Sequence, residues 1–272
     1  MNSRVPLLAV FLFAVTGNLV AQGGPPEPKE SWSVSVGAGS IYSPSYEGDD
    51  ENRLMVIPNF RVTYGDDFFA SVGEGIGYNL INKNRVKFGP IVKYNFGRDE
   101  DASSSFAIGG DDTDDLRGLG DVDGSLEVGA YLESRYQTLT GKVEVRQGLG
   151  GHGGLVGEAS LSFNGLAKIS DQRLIYSIGP RLKFTSAEYN ESYFSVSAAQ
   201  SAASGLAQYN ADDYAVSYGL GGNLIVPHTK KFSTIIFADF RRLGETISDS
   251  SLVSQRGDKN QGSMGLFVNY KF

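Results

Sequence analysis

Two histidines and one acidic stretch are the places where chemistry would have to reside in this chain of 272 residues. His152 stands among Gly150, Gly151, Gly153 and Gly154. Beside a serine and a carboxylate, its imidazole would be a general base for acyl transfer, as in lipid hydrolases. The same five residues also read as a tight turn, where glycine supplies positive φ and the histidine is a polar turn residue. The glycine content favours the turn. His228 lies in Pro227-His-Thr-Lys-Lys231, a basic turn suited to headgroups or to a periplasmic partner. Asp111, Asp112, Asp114 and Asp115 follow Gly109-Gly110, with Asp99, Glu100, Asp101, Asp121 and Asp123 nearby. Asp-x-Asp spacing offers carboxylate oxygens to calcium, but the closing Glu and the spacing of an EF-hand are missing. The expectation is a solvated acidic loop that offers a partner surface. Gly75-x-Gly77 is no phosphate loop, because no helix pattern follows it. With two isolated histidines and no cysteine, a zinc site is not expected. The chain is read as a non-enzyme without metal or cofactor.

What must position these residues is a succession of strands. Trp32, Val34, Val36 and Ala38 alternate with Ser33, Ser35, Gly37 and Gly39. Leu54, Val56, Pro58 and Phe60 oppose Arg53, Met55, Asn59 and Arg61. Leu126, Val128 and Leu132 oppose Glu127, Tyr131 and Glu133, and Val143 and Val145 oppose Lys142, Glu144 and Arg146. Ile178, Leu182 and Phe184 oppose Arg181 and Lys183. Alternation with a period of two gives a strand with one apolar and one polar face. Several runs hold for ten or more residues, near the 9–11 that cross a bilayer at a tilt and longer than the ~5–6 of soluble strands. The polar face carries both signs of charge, as a lumen filled by ion pairs would. Glycines along the strands are read as allowing curvature or lumen space.

The expected fold is therefore all-β, a transmembrane antiparallel β-barrel of about twelve strands within a range of roughly ten to fourteen. The strands are placed near 31–42, 52–64, 68–80, 85–97, 125–136, 141–149, 155–165, 173–184, 192–198, 213–226, 231–242 and 261–272. Glu74 sits among the apolar positions of 68–80. It requires either a bulge that turns it inward or a split into two shorter strands. An even count puts both termini in the periplasm. Counting along the strands then places the long acidic loop 99–124 on that same side, as a docking element, unless the count is out by one strand in each half.

Residues 1–21 read as a secretory signal peptide, 22–30 as a flexible periplasmic leader, and 31–272 as one barrel domain. The final strand alternates Met264, Leu266, Val268, Tyr270 and Phe272, with Phe267 an apolar intruder. Tyr270 and the terminal Phe272 are similar to the assembly signal of outer-membrane barrels, which implies the barrel assembly machinery and outer-membrane lipids as partners. The competing reading is the closing strand of a soluble β-sandwich. Net charge of −7 excludes nucleic acid as a natural partner.

The loops carry an ordered wording. Pro44-Ser-Tyr46-Glu-Gly48-Asp49, Tyr94-Asn-Phe-Gly97-Arg98-Asp99, Leu116-Arg-Gly118-Leu119-Gly120 and Gly150-Gly-His152-Gly-Gly154 come first. Tyr189, Tyr193-Phe194, Ser204-Gly205-Leu206 through Tyr209, Arg242-Leu243-Gly244 and the Asn-Tyr-Lys-Phe ending follow. This series resembles the MltA-interacting protein (MipA/OmpV) family of outer-membrane proteins over nearly the whole mature chain. The stretch Thr246–Ser251 departs from the family's pattern. The resemblance implies a monomeric, non-enzymatic barrel that brings a murein lytic transglycosylase together with a murein synthase. The alternatives are a porin-like channel for small solutes, suggested by the charged inward faces, and a surface adhesin or stress-response protein. A small barrel filled by Arg181, Lys183, Glu127, Glu133, Glu144 and Arg146 would be plugged.

Overall fold

Long alternating segments become long strands, and the described residues of the computed structural model are 31–101, 106–110 and 113–272. The expected signal peptide, the leader, and Asp111 and Asp112 lie outside them. The strands are β1 (Trp32–Pro44), β2 (Asn52–Tyr64), β3 (Phe68–Ser71), β4 (Gly75–Tyr78), β5 (Ile81–Lys83), β6 (Val86–Asn95) and β7 (Ala107–Gly110). They continue as β8 (Ser125–Tyr136), β9 (Leu139–Leu149), β10 (Leu155–Ile169), β11 (Gln172–Thr185), β12 (Ala215–Pro227), β13 (Phe232–Arg242) and β14 (Asn260–Lys271). Among the described residues four short helices sit in the loops: α1 (Ala187–Phe194), α2 (Ala198–Ser204), α3 (Glu245–Ser248) and α4 (Ser251–Arg256). Among the described residues no helix is long and apolar enough to cross a membrane.

Twelve strands close into an antiparallel ring in the order β1-β14-β13-β12-β11-β10-β9-β8-β6-β4-β3-β2, with β2 returning to β1. β5 lies beside β6 and β7 beside β2, outside the ring. Closure leaves the long strands paired on both sides, which is what a sheet in hydrocarbon requires.

The expected count of twelve holds, for offsetting reasons. The strand placed at 68–80 is two four-residue strands, β3 and β4, joined by a tight turn. Glu74 lies in that turn, buried, paired with Arg61 and accepting from Ser71 Oγ at 3.1 Å. The split relieves what a single strand would have imposed, a carboxylate among outward apolar residues. The strand placed at 192–198 is the end of α1 and the turn into α2, with one isolated bridge between Val196 and Tyr209. Its aromatic residues face a local core rather than a sheet partner.

These two changes alter the sidedness of everything between them. Short turns join the strands at one end of the barrel, at 65–67, 137–138, 170–171 and 228–231, and both described chain ends lie there. Long loops crowd the other end, at 45–51, 96–124, 150–154, 186–214 and 243–259. The acidic loop 99–124 is thus at the loop end, opposite the termini, and so is Gly150–Gly154. The expected placement of the acidic loop beside the termini is corrected. A miscount of one strand in each half is what occurred.

The outer wall is apolar all round. Val36, Val56, Leu132, Val143, Leu182 and Leu266 are among the exposed large hydrophobic side chains. A belt of this extent on a closed sheet demands a non-aqueous surround. Aromatic pairs mark its two rims. Trp32 packs on Tyr64 at 5.0 Å at the turn end, and Tyr94 on Phe96 at 5.0 Å at the loop end.

Candidate functional site

The lumen divides into an ionic half and an apolar half. On the wall made by β6, β8, β9 and β10, Arg146 contacts Glu127 at 2.7 Å, Glu158 at 3.2 Å, and Glu144. Lys93 and Lys142 reach Glu144 at 2.6 and 3.0 Å. A second group lies further round the ring, where Lys183 meets Glu47 at 2.8 Å and Arg181 meets Asp239 at 3.6 Å. Register explains the ladder: Glu144 is cross-strand to both Glu158 and Tyr131, and Arg146 is cross-strand to Gly129. Like charges on facing strands are tolerated because cations stand between them. Of the residues expected to fill the lumen, Glu127, Glu144, Arg146, Arg181 and Lys183 do so. Glu133 lies on the same inward face nearer the turn end, with Arg135 at 4.0 Å.

The opposite side of the lumen is filled by Ile41, Met55, Ile57, Phe237 and Phe267. Phe237 and Phe267 stack with centroids 6.1 Å apart. Space for the rings is made by Gly39 and Gly265, where an added Cβ would strike Phe267 and Phe237 respectively. The intruder in the final strand is therefore a lumen residue. Paired charges on one wall and stacked phenyl rings on the other thus project into the lumen at mid-height.

The loops close over the top. Tyr189, Tyr193 and Phe194 of α1 join Leu243, Ile247 and Val253 in one core. Tyr46, Leu116, Leu119, Val196, Leu206 and Leu252 form a second. Arg98 is buried and donates to the Tyr193 carbonyl at 2.6 Å, and burial pulls its pKa down. Arg256 donates to the carbonyls of Asp115, at 2.7 Å, and Ser204, tying the acidic loop to α2 and α4. Neither arginine was singled out from the sequence. The only signal for either was Arg98 within one of the ordered loop phrases.

His152 belongs to this cap. Its side chain is buried, with Nε2 3.2 Å from Glu127 Oε1. Nδ1 accepts from the Gly154 N–H at 3.1 Å, so Nε2 carries the proton and donates to Glu127. Ser125 is near, but its Oγ donates to the Gly150 carbonyl at 2.7 Å and accepts the His152 backbone N–H at 2.9 Å. A serine, a histidine and a carboxylate are thus together without the base facing the nucleophile. Both ring nitrogens are occupied, and the ring packs edge-on against Tyr189 at 4.9 Å. This geometry holds a turn and offers no general base.

Of the acidic loop, Asp114 is exposed and paired with Arg117 at 2.8 Å. Asp115 meets Asp49 and Asp50, with carboxylate oxygens within 4.8 Å of one another. Asp49 is itself engaged, accepting the N–H groups of Ser45 at 3.2 Å and Glu51 at 3.1 Å. Burial pushes the Asp49 carboxyl up to about 6. Burial also acts upward on Glu47, but Lys183 and Arg241 outweigh it and hold this carboxyl below its ordinary range. At the turn end, Tyr270 and Phe272 pack edge to face at 5.2 Å, and the Phe272 N–H donates to the Val34 carbonyl at 3.0 Å.

Among solved structures, an outer membrane channel from Pseudomonas putida F1 aligns at 13% identity and TM-score 0.42, covering 92% of this chain and 100% of its own. OprD from Pseudomonas aeruginosa aligns at 10% identity and TM-score 0.36, covering 88% of this chain and 66% of its own. Ail of Yersinia pestis aligns at 10% identity and TM-score 0.25, covering 89% of this chain and 99% of its own. Such scores support no functional reading. No curated protein matches the chain. The family model described as MltA-interacting protein MipA matches residues 36–272, from the first strand to the terminal phenylalanine, and the chain belongs to that family.

Proposed function

We propose that this outer-membrane barrel is a non-catalytic scaffold for cell-wall machinery, joining a murein lytic transglycosylase and a murein synthase beneath the membrane. The observation that carries the reading is the filled lumen under a packed cap, in a chain of a family described by its interaction with MltA. Paired charges and stacked phenyl rings project into the lumen, which favours a scaffold over an open conduit. An enzyme needs a free base or nucleophile, and His152 has neither nitrogen free. The termini and short turns are assigned to the periplasm, with Tyr270 and Phe272 as the assembly signal.

Under this assignment the acidic loop faces outward, so murein enzymes would meet the turn end. That end is basic, with Arg85, Arg135, Lys168, Lys230 and Lys231 in or beside its turns. Site-specific photocrosslinkers at Gln137, Ser170 and Thr229 should capture the transglycosylase from the periplasm, whereas one at Asp114 should not. Capture at neither end, or from Asp114 alone, would reject the scaffold reading. In planar bilayers the purified barrel should show no steady conductance. Stable solute-permeable openings would favour the porin-like channel instead.

A further inference from the structure

The turn end of the lumen contains a cavity of about 120 Å³. Its floor is Phe267 and Ile235, the underside of the apolar plug. Its wall holds Asn59, Asn269, Ser35 and Ser233. Its rim includes Lys230 and Lys231 in the exposed turn 228–231, with Lys271 beside them; the Lys231 ammonium lies 5.6 Å from the ring of the outward-facing Tyr270. Arg61 also lines it, but it is already paired with Glu74.

One wall residue is incompletely satisfied. Asn269 is 8% exposed, and its Oδ1 accepts from Asn59 Nδ2 at 2.7 Å. Its own Nδ2 is buried with no hydrogen-bond partner. A buried amide donor left unpaired is costly, and such a group calls for an acceptor from outside the protein. Gly37 on the neighbouring strand lets β1 approach this point, since a Cβ there would overlap the Val268 carbonyl oxygen and Asn269 Oδ1.

Taken together, the lining residues carry four cationic groups and one carboxylate. A positive mouth, an orphan donor on the wall and an aromatic floor specify an occupant with a negative group, acceptor oxygens and a small apolar part. We propose that this cavity binds a small amphiphilic carboxylate, of the kind presented by the C-terminal residue of a peptide. The carboxylate sits near Lys230, an amide oxygen accepts from Asn269 Nδ2, and the apolar substituent lies on Phe267 and Ile235. Inorganic anions lack the apolar part and leave the floor uncovered. This site goes beyond the scaffold reading and does not depend on which way the barrel faces.

The test uses the full mature chain refolded in detergent, with heat-modifiable gel migration confirming closure of each variant. Titration with N-acetylalanine, followed by calorimetry, should show saturable binding. N-acetylalaninamide, which lacks the charge, and inorganic phosphate, which lacks the apolar part, should each bind at least tenfold more weakly. The exposed double substitution Lys230→Gln/Lys231→Gln should weaken N-acetylalanine at least tenfold while the barrel still folds. Filling the cavity by Ser233→Phe should abolish binding. The proposal is overturned by absent saturable binding, by equal affinity for the amide or for phosphate, or by an unchanged Lys230→Gln/Lys231→Gln variant. None of these results depends on capture of a murein enzyme, so the site and the scaffold reading fail separately.

Discussion

His152 shows how a residue type suited to catalysis can be spent on structure. Its Nε2–H bonds Glu127, its Nδ1 takes the Gly154 N–H, and its ring packs on Tyr189. Gly148 leaves room for the imidazole, because a Cβ there would strike the ring. Replacing His152 with alanine removes two buried hydrogen bonds and opens a cavity beneath α1. The expected loss is about 2–4 kcal/mol of stability, read as a lower urea midpoint of the refolded barrel. His152→Gln should restore part of it. A variant as stable as the parent would show that the turn does not need the ring. The glycines around position 152 made the turn legible. The glutamate one strand away was not, since Glu127 is recognisable as its partner only after β8 and β9 are paired. Gly39 makes the same point in the lumen. Gly39→Val should lower the yield of heat-modifiable protein, since its Cβ would meet both the Phe267 ring and the Leu266 carbonyl oxygen.

At the scale of elements, the loop between β1 and β2 couples the cap to the lumen through two carboxylates with opposite titration behaviour. Glu47 has its folded pKa lowered, so it contributes stability above its unfolded pKa and loses it as pH falls through the folded value. Asp49 has its folded pKa raised to about 6, so its ionised form is the disfavoured one. Its penalty is fully present above pH 6 and is relieved as pH falls through 6 toward the unfolded value. Segment 45–51 should therefore be better protected from hydrogen exchange near pH 5.5 than at pH 7.5, and lose protection again well below pH 4.5. Asp49→Asn should flatten the upper limb of that profile; an unchanged limb would remove Asp49 as its source. Elements themselves were readable wherever alternation ran long, as in β2, β8 and β11. They were misread where short runs met a local core. In 68–80 the alternation is interrupted by Gly73-Glu74-Gly75, and a turn forms there. At 192–198 the aromatic spacing of Tyr193 and Phe194 satisfies a helix end packed in the cap as well as it would satisfy a strand. The ordered loop phrases carried more than the alternation did, because Tyr46, Leu116, Leu119, Leu206 and Leu243 are among the buried residues of that cap.

Across the whole molecule, charge separates along the barrel axis. The loop end carries Glu47, Asp49, Asp99, Asp114, Asp121 and Asp213 among its charges, whereas at the turn end Lys83, Arg85, Arg135, Arg173 and Lys230 outnumber Asp66, Asp67 and Asp171. A barrel with this polarity presents different electrostatic surfaces to the two sides of a membrane, and each attracts a different partner. The two misread segments mattered only here, since each reversed chain direction once and their effects cancelled in the count but not in the sidedness between them. Sidedness is therefore the prediction on which the placement of any partner rests. Termini and turns in the periplasm require that a cysteine at the exposed Asp114 react with a membrane-impermeant maleimide on intact cells. A cysteine at Lys230, in the turn 228–231, should react only after the outer membrane is permeabilised. The chain has no native cysteine, so the background is clean. The reverse pattern would put the basic end outside, withdraw it from murein enzymes, and return the acidic loop to the periplasm. Binding at the basic end should weaken as salt rises, because exposed charges are screened beyond about 8 Å at physiological ionic strength. Salt-insensitive capture at Thr229 would instead assign the contact to the apolar and hydrogen-bonding walls of the mouth rather than to its rim.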